Sequence, residues 1–241
     1  MSTTTPTARC TGINASTVAV DRGRVTLRQG HLRAQRNPDR DGWTRIGLLA
    51  TTALLLGGDE VDLEVEVGSG ARLDLYDVAA TVAYHGRGAP AAWRLSVTVA
   101  DGGALRYRGE PFIVSDGADV RRTTQLDLAP TAELWLRETV VLGRAGQLGG
   151  RLRSRTTLRV ADEDVWIEDQ DLDPAGSRRL PGLLGDRRIV DSVLRVGSQR
   201  VGEQESQAAP SATCFTLADG SSSLTRYLGT ELAASPLHAG P

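Results

Sequence analysis

The sequence predicts an all-β fold, a single large domain of 241 residues with many short, mostly antiparallel strands in β-superhelical or sandwich-like layers and one or two short helices. Apolar and polar residues alternate with a period of two along most of the chain, which is the pattern of half-buried strands. Turn signals interrupt this alternation about every 8 to 12 residues, as in all-β domains. All-β domains of this length are often undivided, so we expect one domain.

The alternation is clearest in residues 61–67, where four aliphatic side chains face one way and three acids face the other. A second run at residues 93–99 leads into Asp101-Gly102-Gly103 and then into Leu105 and Tyr107. Because Asp-Gly between two alternating runs is a strong hairpin signal, we predict a β-hairpin here. Further strands are predicted at residues 122–128, 132–142, 151–160, 164–168 and 189–196.

The remaining segments lack this alternation. Residues 174–188 are rich in Gly, Pro and Arg and are expected to form a short helix or a loop, and residues 197–212 a surface loop. We expect flexible tails at residues 1–12 and 229–241. No repeat of fixed period, of the solenoid or propeller type, is visible in the sequence.

Composition excludes several function classes. The net charge of -2 and the pI near 6.0 argue against a nucleic-acid partner, which normally requires a basic surface. All 28 basic residues are arginine, which excludes lysine-dependent chemistry. The longest uncharged apolar stretch, residues 46–58, is far shorter than the ~20 residues that span a bilayer, and the N-terminus lacks the features of a signal peptide. With Cys10 and Cys214 forming no disulfide framework, we expect a cytoplasmic protein.

Motifs of the common enzyme and metal-site classes are missing. The sequence has no Gly-x-Ser-x-Gly, His-Glu-x-x-His or Gly-x-Gly-x-x-Gly, and its three histidines, His31, His85 and His238, stand apart. Residues 162–173 contain seven carboxylates, but Pro174 and Leu180 replace the glycine and glutamate of a calcium loop. The simplest interpretation of this segment is a solvated acidic turn and strand end.

Glu138 departs from the solvated pattern of the other acids. It shares one face of a predicted strand with four aliphatic residues, Leu134, Leu136, Val140 and Leu142. An unpaired buried carboxylate costs several kcal/mol, roughly, so such a residue requires a partner, a proton or internal water. Two alternatives follow: Glu138 is paired with an arginine, or it lines a polar cavity or passage.

Four blocks in order resemble the urease accessory protein UreD family, also called UreH. Gly57-Gly58-Asp59-Glu60 with the following strand and Gly70-Ala71 is similar to the family's first block, and residues 79–84 to its second. The block from Leu134 through Gly143-Arg144 is similar to the third, and residues 165–168 to the acidic strand end before the final third. Val82 stands where the family has a lysine, and Gln147 where it has a glutamate.

The resemblance implies a non-enzymatic scaffold without a tightly bound cofactor. Proteins of this family are largely β, bind apo-urease on one side, and on the other hold UreF, through which the GTPase UreG docks. They are thought to offer an internal passage through which Ni²⁺ passes transiently to the urease active site. The residues that carry over to such a passage are Asp59, Glu60, Glu138 and Glu168. Carboxylates and water hold nickel less tightly than imidazole or thiolate, as a conduit requires.

Two other functions remain open from the sequence. One is a β-sandwich carbohydrate hydrolase that uses a pair of carboxylates, although no spacing selects a pair among thirty acids. The other is a generic β interaction module, which would share the fold without depending on the acids.

Overall fold

The structure is a computed structural model that describes residues 15–174, 176, 180, 183–197 and 211–238. Within these ranges the strands are β1 (Ser16–Asp21), β2 (Arg24–Arg28), β3 (Leu32–Arg40), β4 (Trp43–Ala50), β5 (Glu60–Val67), β6 (Arg72–Asp77), β7 (Thr81–Ala83), β8 (Ala91–Val99), β9 (Ala104–Arg108), β10 (Phe112–Val114), β11 (Asp119–Leu128), β12 (Glu133–Leu142), β13 (Arg151–Val160), β14 (Glu163–Leu172), β15 (Ile189–Val196), β16 (Ala212–Thr216) and β17 (Ser223–Gly229). Two 3-10 turns follow at Leu232–Ala234 and Pro236–His238. None of the helical segments described is long and apolar enough to cross a bilayer.

The strands form two stacked sheets, which confirms the all-β prediction. Sheet A has the order β14-β13-β11-β8-β5-β1-β2, and sheet B has the order β16-β17-β15-β12-β9-β6-β4-β3. The short strand β10 extends sheet B beside the second half of β12 and pairs with β7. The two 3-10 turns are the described helical structure, in place of the short helices that the sequence predicts.

The prediction of mostly antiparallel strands is wrong. β1, β5, β8, β11 and β13 pair in parallel in sheet A, as do β4, β6, β9 and β12 in sheet B. The chain alternates between the sheets, so each strand returns to its own sheet in the same direction after crossing the other. Antiparallel pairs occur toward the ends of the two sheets, for example β1 with β2 and β13 with β14. Alternation of side chains indicates a strand but not the direction of its neighbour.

The predicted hairpin at Asp101-Gly102-Gly103 is also wrong, because this turn carries the chain from β8 in sheet A to β9 in sheet B. The turn stacks on the corresponding turn of the previous coil, where the Gly70 N–H donates to the Asp101 carbonyl at 3.1 Å. Gly103 is required at this corner, since a Cβ there would lie 2.9 Å from the Gly68 carbonyl oxygen. Asp-Gly specifies a tight turn, and the stacking of the coils decides which sheet the next strand joins.

The stacked coils form a repeat that the sequence does not reveal. Residues at equivalent positions of successive coils, Val61, Trp93, Arg122 and Ser154, are paired neighbours in sheet A. Each coil is about 30 residues long, which is typical of solenoids. The four residues are chemically unlike, so no repeated motif marks the period.

The space between the sheets is apolar at the end near these corner turns. Val65, Val97, Leu126 and Leu158 form one buried row across sheet A. Leucines of β6, β9 and β12 face them from sheet B. Farther from these corners, polar residues replace the aliphatic ones on both inner faces.

The C-terminal segment covers part of the outer face of sheet B. Asp191 is fully buried there and accepts hydrogen bonds from Arg137 Nη2 at 2.9 Å, Thr139 Oγ1 at 2.8 Å and Ser235 Oγ at 2.6 Å. Residues 229–238, which the sequence assigns to a tail, thus include a buried contact. The predicted tail at residues 1–12 and most of the predicted loop at 197–212 lie outside the described residues.

Candidate functional site

A row of polar positions crosses the inner face of sheet B. Glu138 of β12 pairs with Ser192 of β15, which pairs with Arg226 of β17. On the other side of Glu138 lie Gly109 and Asp77. Gly109 is the next residue after the β9–β12 ladder ends, and Asp77 is the next residue after the β6–β9 ladder ends. These five residues occupy one level of the sheet, and Gly109 leaves a gap in the row because it has no side chain.

Sheet A presents two matching rows. The first consists of Arg122, Ser154 and Gln170, and the second of Thr124, Thr156 and Glu168. Each strand also carries aliphatic or aromatic residues on this same face, so all six side chains point inward like those of the core. We call these rows, together with the row in sheet B, the polar seam.

Glu138 is held across the seam by an arginine of the opposite sheet. Arg122 Nη2 lies 2.5 Å from Glu138 Oε1, and the Thr124 hydroxyl donates to the same oxygen at 3.3 Å. Arg122 is also stacked on Phe112, with 5.1 Å between the guanidinium carbon and the ring centroid. The sequence left open an arginine partner or a polar cavity for Glu138, and both descriptions hold.

Glu168 makes the second ion pair across the seam. Arg226 donates from Nη1 to Oε1 at 2.6 Å and from Nη2 to Oε2 at 2.8 Å, a bidentate geometry that fixes both groups. The Nε of Arg226 donates to the Ser192 hydroxyl at 3.0 Å. Arg226 is a seam residue that sequence reasoning missed, although it shares one strand face with Leu224 and Leu228, just as Glu138 shares a face with its aliphatic neighbours.

Two cavities meet at Glu138 and Arg122. One extends toward β14 and β17 and is lined by Ser154, Thr156, Glu168, Gln170 and Arg226, with apolar residues of both sheets. The other extends toward β6 and β9 and is lined by Asp77, Tyr107 and Glu110 among others. Glu138 and Arg122 line both cavities, so the seam is a continuous polar zone within the stack.

Asp77 is the third carboxylate of the seam and is held by neutral partners. The Tyr107 hydroxyl donates to Oδ1 at 3.1 Å, and the Glu110 N–H donates to Oδ2 at 3.1 Å. Burial raises the pKa of Asp77 to about 7, although both hydrogen bonds lower it. Burial also raises the pKa of the Tyr107 hydroxyl, helped by the neighbouring Asp77. Sequence reasoning missed Asp77, yet it follows Leu73 and Leu75 on the inward parity of its strand.

Asp59 and Glu60 lie apart from the seam cavities. Asp59 closes the turn before β5, where its Oδ2 accepts the Leu56 N–H at 2.9 Å. Glu60 is exposed and pairs with Arg94 at 2.9 Å, beside Asp62. Of the four residues predicted for a passage, the structure therefore brings Glu138 and Glu168 to one cavity, and Asp59 and Glu60 are not among its lining residues.

The described ranges contain no group of three or more His, Cys, Asp and Glu side chains that could hold a metal ion. The His85 Nδ1 accepts the Arg87 N–H at 3.0 Å, and Cys214 is exposed in β16. Cys10 lies outside the described residues. The chemistry of the seam is thus that of separated carboxylates with hydroxyl, amide and guanidinium neighbours.

Comparison with known proteins identifies the family. The family model described as UreD urease accessory protein matches residues 19–235 of the chain. The chain belongs to the UreD family. Among its relatives, urease accessory protein UreD 1 of Streptomyces griseus is 47% identical over 158 residues, which are 66% of this chain and 62% of the relative. The UreD protein of Frankia alni is 53% identical over 163 residues, 58% of this chain and 53% of the relative.

A longer match is to the UreD protein of Parafrankia, 38% identical over 192 residues, which are 77% of this chain and 63% of the relative. The chain thus spans between about half and two thirds of the length of these UreD relatives. The side-chain oxygen of Gln147 accepts the Arg144 N–H at 3.1 Å.

Proposed function

We propose that this chain is a non-enzymatic urease maturation chaperone, a scaffold between apo-urease and the UreF and UreG proteins that supports nickel delivery to the urease active site. The observation that carries the proposal is the polar seam in a chain of the UreD family. Ionisable groups in the interior of a β-stack oppose stability, so several of them in one interior zone call for a function.

The contacts of the seam suit an ion that binds only transiently. Glu138 and Glu168 each have an arginine partner, so a nickel ion that approaches either carboxylate competes with a resident cation. The hydroxyls of Thr124, Thr156 and Ser192 offer weak oxygen contacts between the two acids. Competition and weak ligands together favour release over storage, as conduction requires.

The competing hydrolase fits the seam less well. A retaining or inverting glycosidase needs one carboxyl group that presents a proton to the leaving oxygen of the sugar. The oxygens of Glu168 are both occupied by Arg226, and Oε1 of Glu138 accepts from Arg122 and Thr124.

Coexpression with urease and its other accessory proteins tests the proposal. We expect that omission of this chain lowers the nickel content and activity of purified urease. The Glu138→Gln and Glu168→Gln variants should lower both while they still copurify with the assembly. Glu64→Gln is the matched control, because Glu64 faces outward on sheet A and is contacted by Thr17 at 3.3 Å. If urease gains the same nickel without this chain, the proposed function is wrong; if Glu138→Gln equals Glu64→Gln, the role of the seam is wrong.

A further inference from the structure

The outer face of sheet B carries an indole stacked with two guanidinium groups. Arg72 and Arg106 lie 4.6 Å and 4.1 Å from the centroid of Trp43, measured from the guanidinium carbon. Trp43 is paired with the strand of Arg72, and Arg106 lies one strand farther on. Stacking leaves the edge of a guanidinium, with its N–H groups, available to an acceptor.

The next strand adds a buried donor without an acceptor. Trp135 of β12 pairs with Arg106 in the parallel ladder, and its side chain is more than nine-tenths buried. Its Nε1 has no hydrogen-bond partner among the residues that the structure describes. A buried N–H without an acceptor costs about 1–3 kcal/mol, so an acceptor supplied from outside would remove this cost. Trp43, Arg72, Arg106 and Trp135 line one pocket, whose rim includes Glu133 and Arg195.

The two arginines differ from their neighbours on the same face. Arg45 and Arg108 both pair with Asp74, at 3.3 Å and 3.0 Å. Arg72 and Arg106, in contrast, form no ion pair with a carboxylate of the described residues. Two guanidinium groups that line the pocket therefore lack an anionic partner from these parts of the chain, and the N–H of a lining indole lacks an acceptor.

We propose that this pocket binds a carboxylate from an acidic segment of a partner protein. Arginine and tryptophan are the residue types that most often dominate protein interfaces, and a guanidinium edge matches the two oxygens of a carboxylate. Glu133 at the rim disfavours ligands of higher negative charge, such as a phosphate group, by repulsion. The protein has a net charge of -2, which disfavours a nucleic acid as the occupant.

Titration of the full chain with a short capped peptide of alternating Glu and Ala tests this site. The binding is followed by tryptophan fluorescence and calorimetry, with a matched Gln–Ala peptide and inorganic phosphate as separate arms. We expect the Gln–Ala peptide to bind at least about tenfold more weakly, and phosphate not to displace the acidic peptide at equal concentration. Neither urease nor nickel enters the assay, so its outcome is independent of the proposed function.

Three variants locate the site. Arg106→Gln should weaken peptide binding about tenfold, and Trp135→Phe, which keeps a ring but removes the N–H, should weaken it severalfold. Arg121→Gln is the control, because Arg121 is exposed on the outer face of sheet A. The thermal midpoint of each variant shows that it is folded. Absence of peptide binding, equal binding of the two peptides, displacement by phosphate, or equal effects of Arg106→Gln and Arg121→Gln would overturn the proposal.

Discussion

Asp77→Asn should change the pH dependence of stability in a direction opposite to that of most carboxylates. Burial raises the pKa of Asp77 to about 7 from an ordinary value of 3.8. Between about pH 4 and pH 7 the folded protein therefore keeps a proton that the unfolded chain has released. The contribution of Asp77 to the free energy of unfolding falls as the pH rises through this window and is level above it.

The size of the effect follows from the same pKa difference. About three pKa units at 1.36 kcal/mol each give an upper limit of about 4 kcal/mol between pH 4 and pH 8. Because Asp77 is only half-buried, its carboxyl group keeps part of its hydration. The expected change in the free energy of unfolding is therefore about 2 kcal/mol. Asparagine does not titrate. Its amide oxygen can accept the Glu110 N–H, and its NH2 group can donate to the Tyr107 hydroxyl oxygen, which reverses the direction of that hydrogen bond.

Urea unfolding at pH 4, 5, 6, 7 and 8, followed by circular dichroism, measures this prediction. The free energy of unfolding of Asp77→Asn relative to the wild type should rise by about 2 kcal/mol across the series. Asp39→Asn is the control, because Asp39 is exposed and paired with Arg36 on the surface. If the two variants show the same pH dependence, burial of the Asp77 carboxyl is not the cause.

Two further predictions concern residues that hold the seam in place. Asp191→Ala should destabilise the protein by about 3–5 kcal/mol in urea unfolding, because it leaves Arg137, Thr139 and Ser235 without their shared acceptor; a loss below 1 kcal/mol would contradict the buried network. Gly109→Ala should lower the free energy of unfolding by about 1–3 kcal/mol, because its Cβ would lie 2.7 Å from the Arg137 carbonyl oxygen. Gly146→Ala is the comparison: its Cβ would meet nothing within 4 Å, but φ is +75°, so this variant tests backbone strain alone.

Strand parity made much of the seam predictable from the sequence. It places Glu138 on an apolar face, and the same rule applied to Leu73, Leu75 and Asp77 places a second acid inward. A polar residue in phase with core residues is therefore the signal to search for. Asp59 shows the limit of this rule, because it is in phase with Val61 but lies in the turn before the strand begins.

Parity does not reveal which residues meet across the stack. Arg226 and Glu168 are 58 positions apart, and their pairing depends on the order of the strands in both sheets. The parallel coil sets that order, and nothing in the alternation distinguishes a coil from a series of hairpins. The sequence could thus indicate which side chains enter the interior, while their partners required the topology.

The charges of the polar seam are unequally balanced along its length. Glu138 and Glu168 are each matched by an arginine of the opposite sheet, so those two levels carry little net charge. The hydrogen-bond donors to Asp77 in the described ranges are neutral, and its pKa of about 7 means that its charge changes near neutral pH. The end of the seam near β6 and β9 therefore becomes negative as the pH rises, while the end near β14 and β17 does not. The two ends of the seam therefore differ in kind, because a bidentate ion pair keeps the charges at one end matched while the carboxyl at the other end is held by hydrogen bonds that a neutral or a charged group can accept.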